Sequence, residues 1–144
     1  MEINKEFCLQ ALNFLPKMDN LFVILGKVTD ETLNLDDQED SYFAMYDKET
    51  QKQWLKKDLE SLEKVPNVLW KIPDQIDLLI LDGGEFQGFQ EWELLAPRSK
   101  IVVLDDTNTL KFDKVTNIVL NNKDKYEILK HDKTDRQGFL IYKN

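Results

Sequence analysis

A chain of 144 residues, 42% hydrophobic and 32% charged, has the length and balance of one globular domain with a buried core. Its net charge of −8, with lysines scattered among acids, excludes DNA, RNA or an anionic membrane surface as the main partner. The single cysteine, Cys8, excludes an intramolecular disulfide and fits a reducing compartment. No run approaches the roughly 20 apolar residues of a membrane span, and no basic-then-apolar leader opens the chain, so the expected location is the cytoplasm.

Met1 to Asn4 reads as the stub of a strand entering a helix. Asn4 is placed to cap Lys5 to Leu15, where Phe7, Cys8, Ala11, Leu12 and Leu15 recur at helical spacing, and Pro16 closes the run. Leu21 to Leu25 reads as a short buried strand turned by Gly26. Residues 29 to 41, rich in acid, read as a loop that is either a solvated stretch or a lid. A second helix is expected from Tyr46 to Glu63, with Trp54, Leu55, Leu59 and Leu62 on one face. Trp54 and Trp70 are expected in the core. A short element, Val68 to Ile72, lies between two prolines, Pro66 and Pro73. A strand follows at Asp77 to Leu81, then a helix from Phe86 to Leu95, a strand from Lys100 to Leu104 and a helix from Leu110 to Leu120. Tyr126–Lys130 and Gly138–Tyr142 read as a closing hairpin.

Two of these strands carry the chemistry. Ile76-Asp-Leu-Leu-Ile-Leu-Asp82-Gly-Gly-Glu85 and Lys100-Ile-Val-Val-Leu-Asp105-Asp106-Thr-Asn108 are apolar runs that stop at carboxylates. Such runs fit strands of a parallel sheet buried on both faces. With a right-handed helical crossover between them, both carboxyl ends reach the same edge of the sheet, where such sheets bind ligands. Two unit charges about 4 Å apart repel by roughly 4 kcal/mol at an effective dielectric of 20. A hard divalent cation with oxygen ligands resolves that repulsion.

This pattern resembles the second half of a class I S-adenosylmethionine-dependent methyltransferase, and most closely the small metal-assisted O-methyltransferase-like families of bacterial sugar and secondary-metabolite pathways. The resemblance runs from Glu2 to Gly138–Lys143, loosely over residues 31 to 75. It implies one α/β domain over residues 1–144: a Rossmann-like sheet, mostly parallel, with a C-terminal antiparallel hairpin. The family's first strand and Gly-x-Gly turn have no counterpart here, so the implied sheet is N-terminally truncated. By resemblance Asp82, Asp105 and Asp106 are the ligands of a divalent metal, magnesium by preference. Glu2 bonds the ribose hydroxyls of S-adenosylmethionine. The acceptor is a hydroxyl of a small molecule or sugar, and Asp82 takes its proton.

Each residue also has a plainer reading. Asp82 suits a tight turn that accepts backbone N–H groups, and Thr107 and Asn108 suit a turn, though the Asn108 amide oxygen would also serve a metal. Glu85 either caps the following helix or completes an acidic site. His131 reads as a surface residue, Lys111 as facing solvent unless it reaches inward, and Cys8 as a buried structural thiol. Two rival functions stand beside methyl transfer. One is a non-catalytic methyltransferase-fold subunit or remnant, whose exposed apolar edge is completed by a homo-oligomer or a partner chain. The other is metal-dependent phosphotransfer, disfavoured because Asp105 and Asp106 are adjacent rather than alternating.

Overall fold

The computed structural model describes residues 1–16, 19–35, 47–134 and 137–144. Asn4 caps the first helix as expected: its Oδ1 accepts from the N–H groups of Glu6 and Phe7, and α1 runs Lys5–Phe14 until the chain turns extended before Pro16. Of its apolar stripe only Cys8 is buried, while Phe7, Leu12 and Leu15 are exposed. Leu21 to Leu25 does not form the expected buried strand. Leu25 makes one parallel bridge, to Glu2, and Leu21 and Phe22 are exposed. The reason is the partner's length, since the Met1–Asn4 stretch turns into α1 after a single bridged residue.

The expected loop is tied down in part. Leu33 N–H donates to Phe86 O and Gln87 Nε2 donates to Thr29 O, with Val28, Thr29 and Leu35 buried. Residues 36–41 lie outside the described residues. Helix α2, Lys48–Leu62, starts where Asp47 accepts from the Thr50 N–H and hydroxyl. Trp54 and Leu55 pack on a small core of Leu35, Phe86 and Leu110. Trp70 is not core: it stands 79% exposed in a short 3-10 turn, Leu69–Lys71, with the Lys71 ammonium over its ring.

The remaining elements follow in alternation: β1 Ile76–Leu81, α3 Gly88–Leu95, β2 Ser99–Asp105, α4 Asp113–Asn121, β3 Glu127–Asp132 and β4 Phe139–Lys143. They form an α/β unit around a four-stranded sheet of order β1-β2-β4-β3. β1 and β2 are parallel with Leu81 beside Leu104; β2 and β4, and β4 and β3, are antiparallel. The closing hairpin is as expected. The sheet as a whole is mixed rather than mostly parallel, because the N-terminal segments add only isolated parallel bridges.

One face of the sheet (Leu79, Leu81, Val102, Leu104, Leu140 and Tyr142) is buried under Trp92 and Leu95 of α3 and Val115 and Val119 of α4. Each such side chain contributes about 1.5–3 kcal/mol relative to exposure. Trp92 Nε1 donates to the Tyr142 hydroxyl at 2.6 Å, which satisfies both polar atoms inside this core. The other face departs from the expectation of strands buried on both sides. In β1, Leu78 and Ile80 are 52% and 61% exposed, because no described element covers them; their neighbours Ile101 and Val103 in β2 are half-buried.

Candidate metal centre

The parallel register fixes the site. With Leu81 beside Leu104, the next residues reach the same edge together, Asp82 just past the end of β1 and Asp105 as the last residue of β2, opposite Phe139 of β4. Asp106 then adopts a left-handed conformation, φ 57°, which a short polar side chain tolerates better than most. The turn is held from several directions. Thr109 N–H and Oγ1 donate to Asp106 O, Thr107 N–H to Gly138 O, Asn108 N–H to Gln137 O and Asn108 Nδ2 to Lys133 O. Gly138 sits at φ 83°, and a Cβ there would lie 2.7 Å from both Thr107 Oγ1 and Asn108 Nδ2, so the turn and the hairpin close only around a glycine.

As a result, Asp82, Asp105 and Asp106 each present a carboxylate oxygen, and all three oxygens lie within 4.8 Å of one another. Opposite ligands of Mg²⁺ or Ca²⁺ are roughly 4–5 Å apart, twice the metal–oxygen distance, so the triad's span fits either ion. Asp82 is exposed and Asp105 and Asp106 half-buried, leaving one side open to water or an acceptor oxygen.

Lys111 is the unexpected member. Rather than facing solvent, its side chain is only 5% exposed, and Nζ donates to Asp82 Oδ1 at 2.8 Å and to Asp106 Oδ2 at 3.3 Å. Three carboxylates with one ammonium leave a formal charge of minus two, the complement of a divalent cation. The sequence signal was its setting: Lys111 stands between Leu110 and Phe112, both buried.

Glu85 is not the helix cap, since α3 begins at Gly88 with Gln87 in the capping position. Its carboxylate lies outside the three clustered oxygens but feels the charges of Lys111 and Asp106, so it borders the acidic site. It is half-buried, and burial raises its carboxyl above the usual range while the Lys111 charge opposes that rise. Asn108 directs its amide nitrogen to Lys133 O, and Thr107 is buried in the turn. His131 is half-buried within β3 rather than on the surface, its Nε2 has no hydrogen-bond partner among the described residues, and burial lowers its pKa.

Beside the triad lies a cavity of about 350 Å³ that Asp82, Gly83 and Gly84 share with Glu2, Asp58 and Glu91. Glu2 and Asp82, matched separately by resemblance, therefore face one space. Glu2 Oε1 accepts from Asn4 N–H at 2.7 Å. Glu91, which sequence reasoning passed over, is 6% exposed, and burial raises its carboxyl to about 7. It packs against the glycine turn: a Cβ on Gly83 would lie 2.8 Å from Glu91 Oε2.

Comparison of the chain with protein-family models, with curated proteins and with solved structures finds no match in any of the three. Among the described residues no helix is long and apolar enough to cross a membrane.

Proposed function

We propose that this chain is a methyltransferase-fold protein that transfers methyl from S-adenosylmethionine to a hydroxyl of a small molecule or sugar, assisted by a divalent metal. The observation that carries the reading is the convergence of Asp82, Asp105 and Asp106 at the carboxyl edge of a parallel strand pair, beside a cavity that Glu2 also lines. The donor set fits a hard cation such as Mg²⁺, which when bound would lower the pKa of an acceptor hydroxyl. The fit to the cofactor is partial. Glu2 and the Gly83–Gly84 backbone suit the ribose hydroxyls, while no Gly-x-Gly turn is available to receive the amino-acid end.

The chain's own residues have distinct tasks. Asp105 and Asp106, both half-buried, and the exposed Asp82 are the residues that would hold the metal. Lys111 fixes the carboxylates of Asp82 and Asp106 through two hydrogen bonds. Asp82 Oδ2, which takes no hydrogen bond from the described residues, accepts the acceptor's proton. The reaction needs no covalent intermediate, and positioning supplies much of the rate.

A second reading, a non-catalytic subunit completed by a partner, is favoured by the exposed Leu78 and Ile80. Calorimetric titration of the purified chain with S-adenosylhomocysteine, with and without Mg²⁺, separates the two. Micromolar binding strengthened by Mg²⁺ supports methyl transfer. A folded chain that binds neither leaves the subunit reading.

A further inference from the structure

A second cavity, of about 380 Å³, opens at the other end of the sheet, where β2 begins and β4 ends. At about 3.3 Å per residue, the length of β2 puts it roughly 20 Å from Asp105, and it shares no lining residue with the cavity beside the acid triad. Its size is near the lower end of the roughly 300–1,000 Å³ range of small-molecule sites, which suits one small molecule rather than a length of chain.

The walls are apolar and fixed by the core. Trp92 and Tyr126, 8% and 5% exposed, line the cavity together with Ala96 and Pro97. Trp92 Nε1 is committed to the Tyr142 hydroxyl, and Tyr126 meets the Tyr142 ring edge-on at 5.1 Å between centroids. Asn144 Nδ2 donates to Ala96 O and Ser99 O, which clips the end of β4 to the turn between α3 and β2. Aromatic walls held in this way receive an apolar ring without having to rearrange.

Four polar groups around this floor are unspent. Glu93 on α3 and Lys125 on the turn before β3 both line the cavity, and neither side chain has an ion pair or hydrogen bond among the described residues. No carboxylate, that of the Asn144 terminus included, pairs with Lys125 among those residues; its ammonium stands 4.9 Å from the Tyr126 ring centroid, a contact that is weak at an exposed position. Among the same residues the Tyr126 hydroxyl makes no hydrogen bond and the Asn144 amide oxygen accepts none. An acid and a base that do not neutralise each other, set around an apolar floor, complement a ligand that carries both charges beside an apolar group.

We propose that this cavity binds a free aromatic α-amino acid. Its ring lies against Trp92, Pro97 and Tyr126, its carboxylate meets Lys125 and the Tyr126 hydroxyl, and its ammonium meets Glu93 and the Asn144 amide oxygen. A simple carboxylate would leave Glu93 unanswered and a simple amine would leave Lys125 so. A residue at either end of a peptide keeps only one of the two charges. The inference does not depend on methyl transfer, and its test contains no cofactor.

The probes are L-phenylalanine, N-acetyl-L-phenylalanine, which lacks the ammonium, and L-phenylalaninamide, which lacks the carboxylate. Each is titrated into the intact chain, and backbone amide and Trp92 indole shifts are followed by NMR. Phenylalanine moves the Trp92 indole and the amides of Glu93, Lys125 and Tyr126 saturably, and each blocked form binds at least about tenfold more weakly, as the loss of a charged hydrogen bond requires. Glu93→Gln and Lys125→Gln alter exposed side chains and leave the fold intact. The first removes the preference for phenylalanine over the acetylated form, the second the preference over the amide. Four results overturn the proposal: no saturable shift at millimolar phenylalanine, blocked forms that bind the unmodified chain as tightly as phenylalanine, preferences unchanged in the two variants, or shifts that centre on Gly83 and Glu91 instead of this cavity.

Discussion

Replacing Lys111 by methionine keeps the aliphatic stem inside the core and deletes only the ammonium. In the native chain that ammonium is held by Asp82 and Asp106, with Asp105 alongside. Breaking a wholly buried pair from one side costs about 3–5 kcal/mol. Here the Asp82 side chain is 62% exposed and that of Asp106 26%, so water and salt absorb much of the loss and ~1–2 kcal/mol remains. For a chain of 144 residues that is a fall in Tm of about 3–7 °C in the absence of divalent ions. Metal affinity moves the other way. An ammonium about 4 Å from a divalent ion repels it by roughly 2 kcal/mol even at the dielectric of water, so its removal tightens Ca²⁺ or Mg²⁺ binding at least tenfold. Thermal unfolding in a series of Ca²⁺ concentrations reads both effects, because a ligand of the native state raises Tm by mass action. Lys111→Met is therefore expected to melt below the native chain in chelator and to recover most of the difference in Ca²⁺. A variant as stable as the native chain in chelator, with an unchanged response to Ca²⁺, would refute the role of Lys111 as the internal counter-ion of a metal site.

Other substitutions test the rest of the framework. Burial raises the Glu91 carboxyl from 4.5 to about 7 in the folded state, so the native chain binds the extra proton. Stability from this group is complete below the unfolded value and is lost as pH rises through 7, by at most about 3 kcal/mol; denaturant unfolding between pH 5 and 8 should show this loss, and Glu91→Gln should abolish it. Gly138→Ala forces a side chain into φ 83° and against Thr107 and Asn108, and is expected to cost about 1–3 kcal/mol in chemical denaturation while weakening divalent-ion binding through the displaced Asp106 turn. Trp92→Phe strands the Tyr142 hydroxyl in the core and removes packed volume, with an expected loss of about 1–3 kcal/mol by thermal unfolding and no change in metal affinity.

Much of the sheet and helix order is legible in the sequence because local signals agree with their surroundings. Apolar runs ended by acid give β1 and β2 to within a residue or two, Asn4 announces α1, and the Tyr126–Tyr142 stretch gives the hairpin. The acid cluster is legible for the same reason: parallel register carries two strand ends to one edge whatever the loops do. What is not legible depends on partners distant in sequence. Leu21 to Leu25 has a strand's composition and lacks a ladder, because Met1–Asn4 offers only one bridged residue. Trp70 and, Cys8 apart, the apolar side chains of α1 have core composition, and no described element covers them. Glu91 was missed, and Lys111 was weighed first as solvent-facing, because a charged residue reads as exposed unless its flanking residues are known to be buried. The open face of β1 cannot be read from an apolar run, which looks the same in a covered strand and a bare one.

The most direct test of the central claim uses Mn²⁺ as a paramagnetic reporter in NMR of the intact chain. A metal centre at the sheet edge predicts that sub-stoichiometric Mn²⁺ selectively broadens the amides of residues 82–85 and 105–109. Excess Mg²⁺ should restore the signals, and Asp105→Asn with Asp106→Asn should abolish the effect. Broadening spread evenly over the acidic surface, or unchanged by the two substitutions, would contradict a metal centre at Asp82, Asp105 and Asp106.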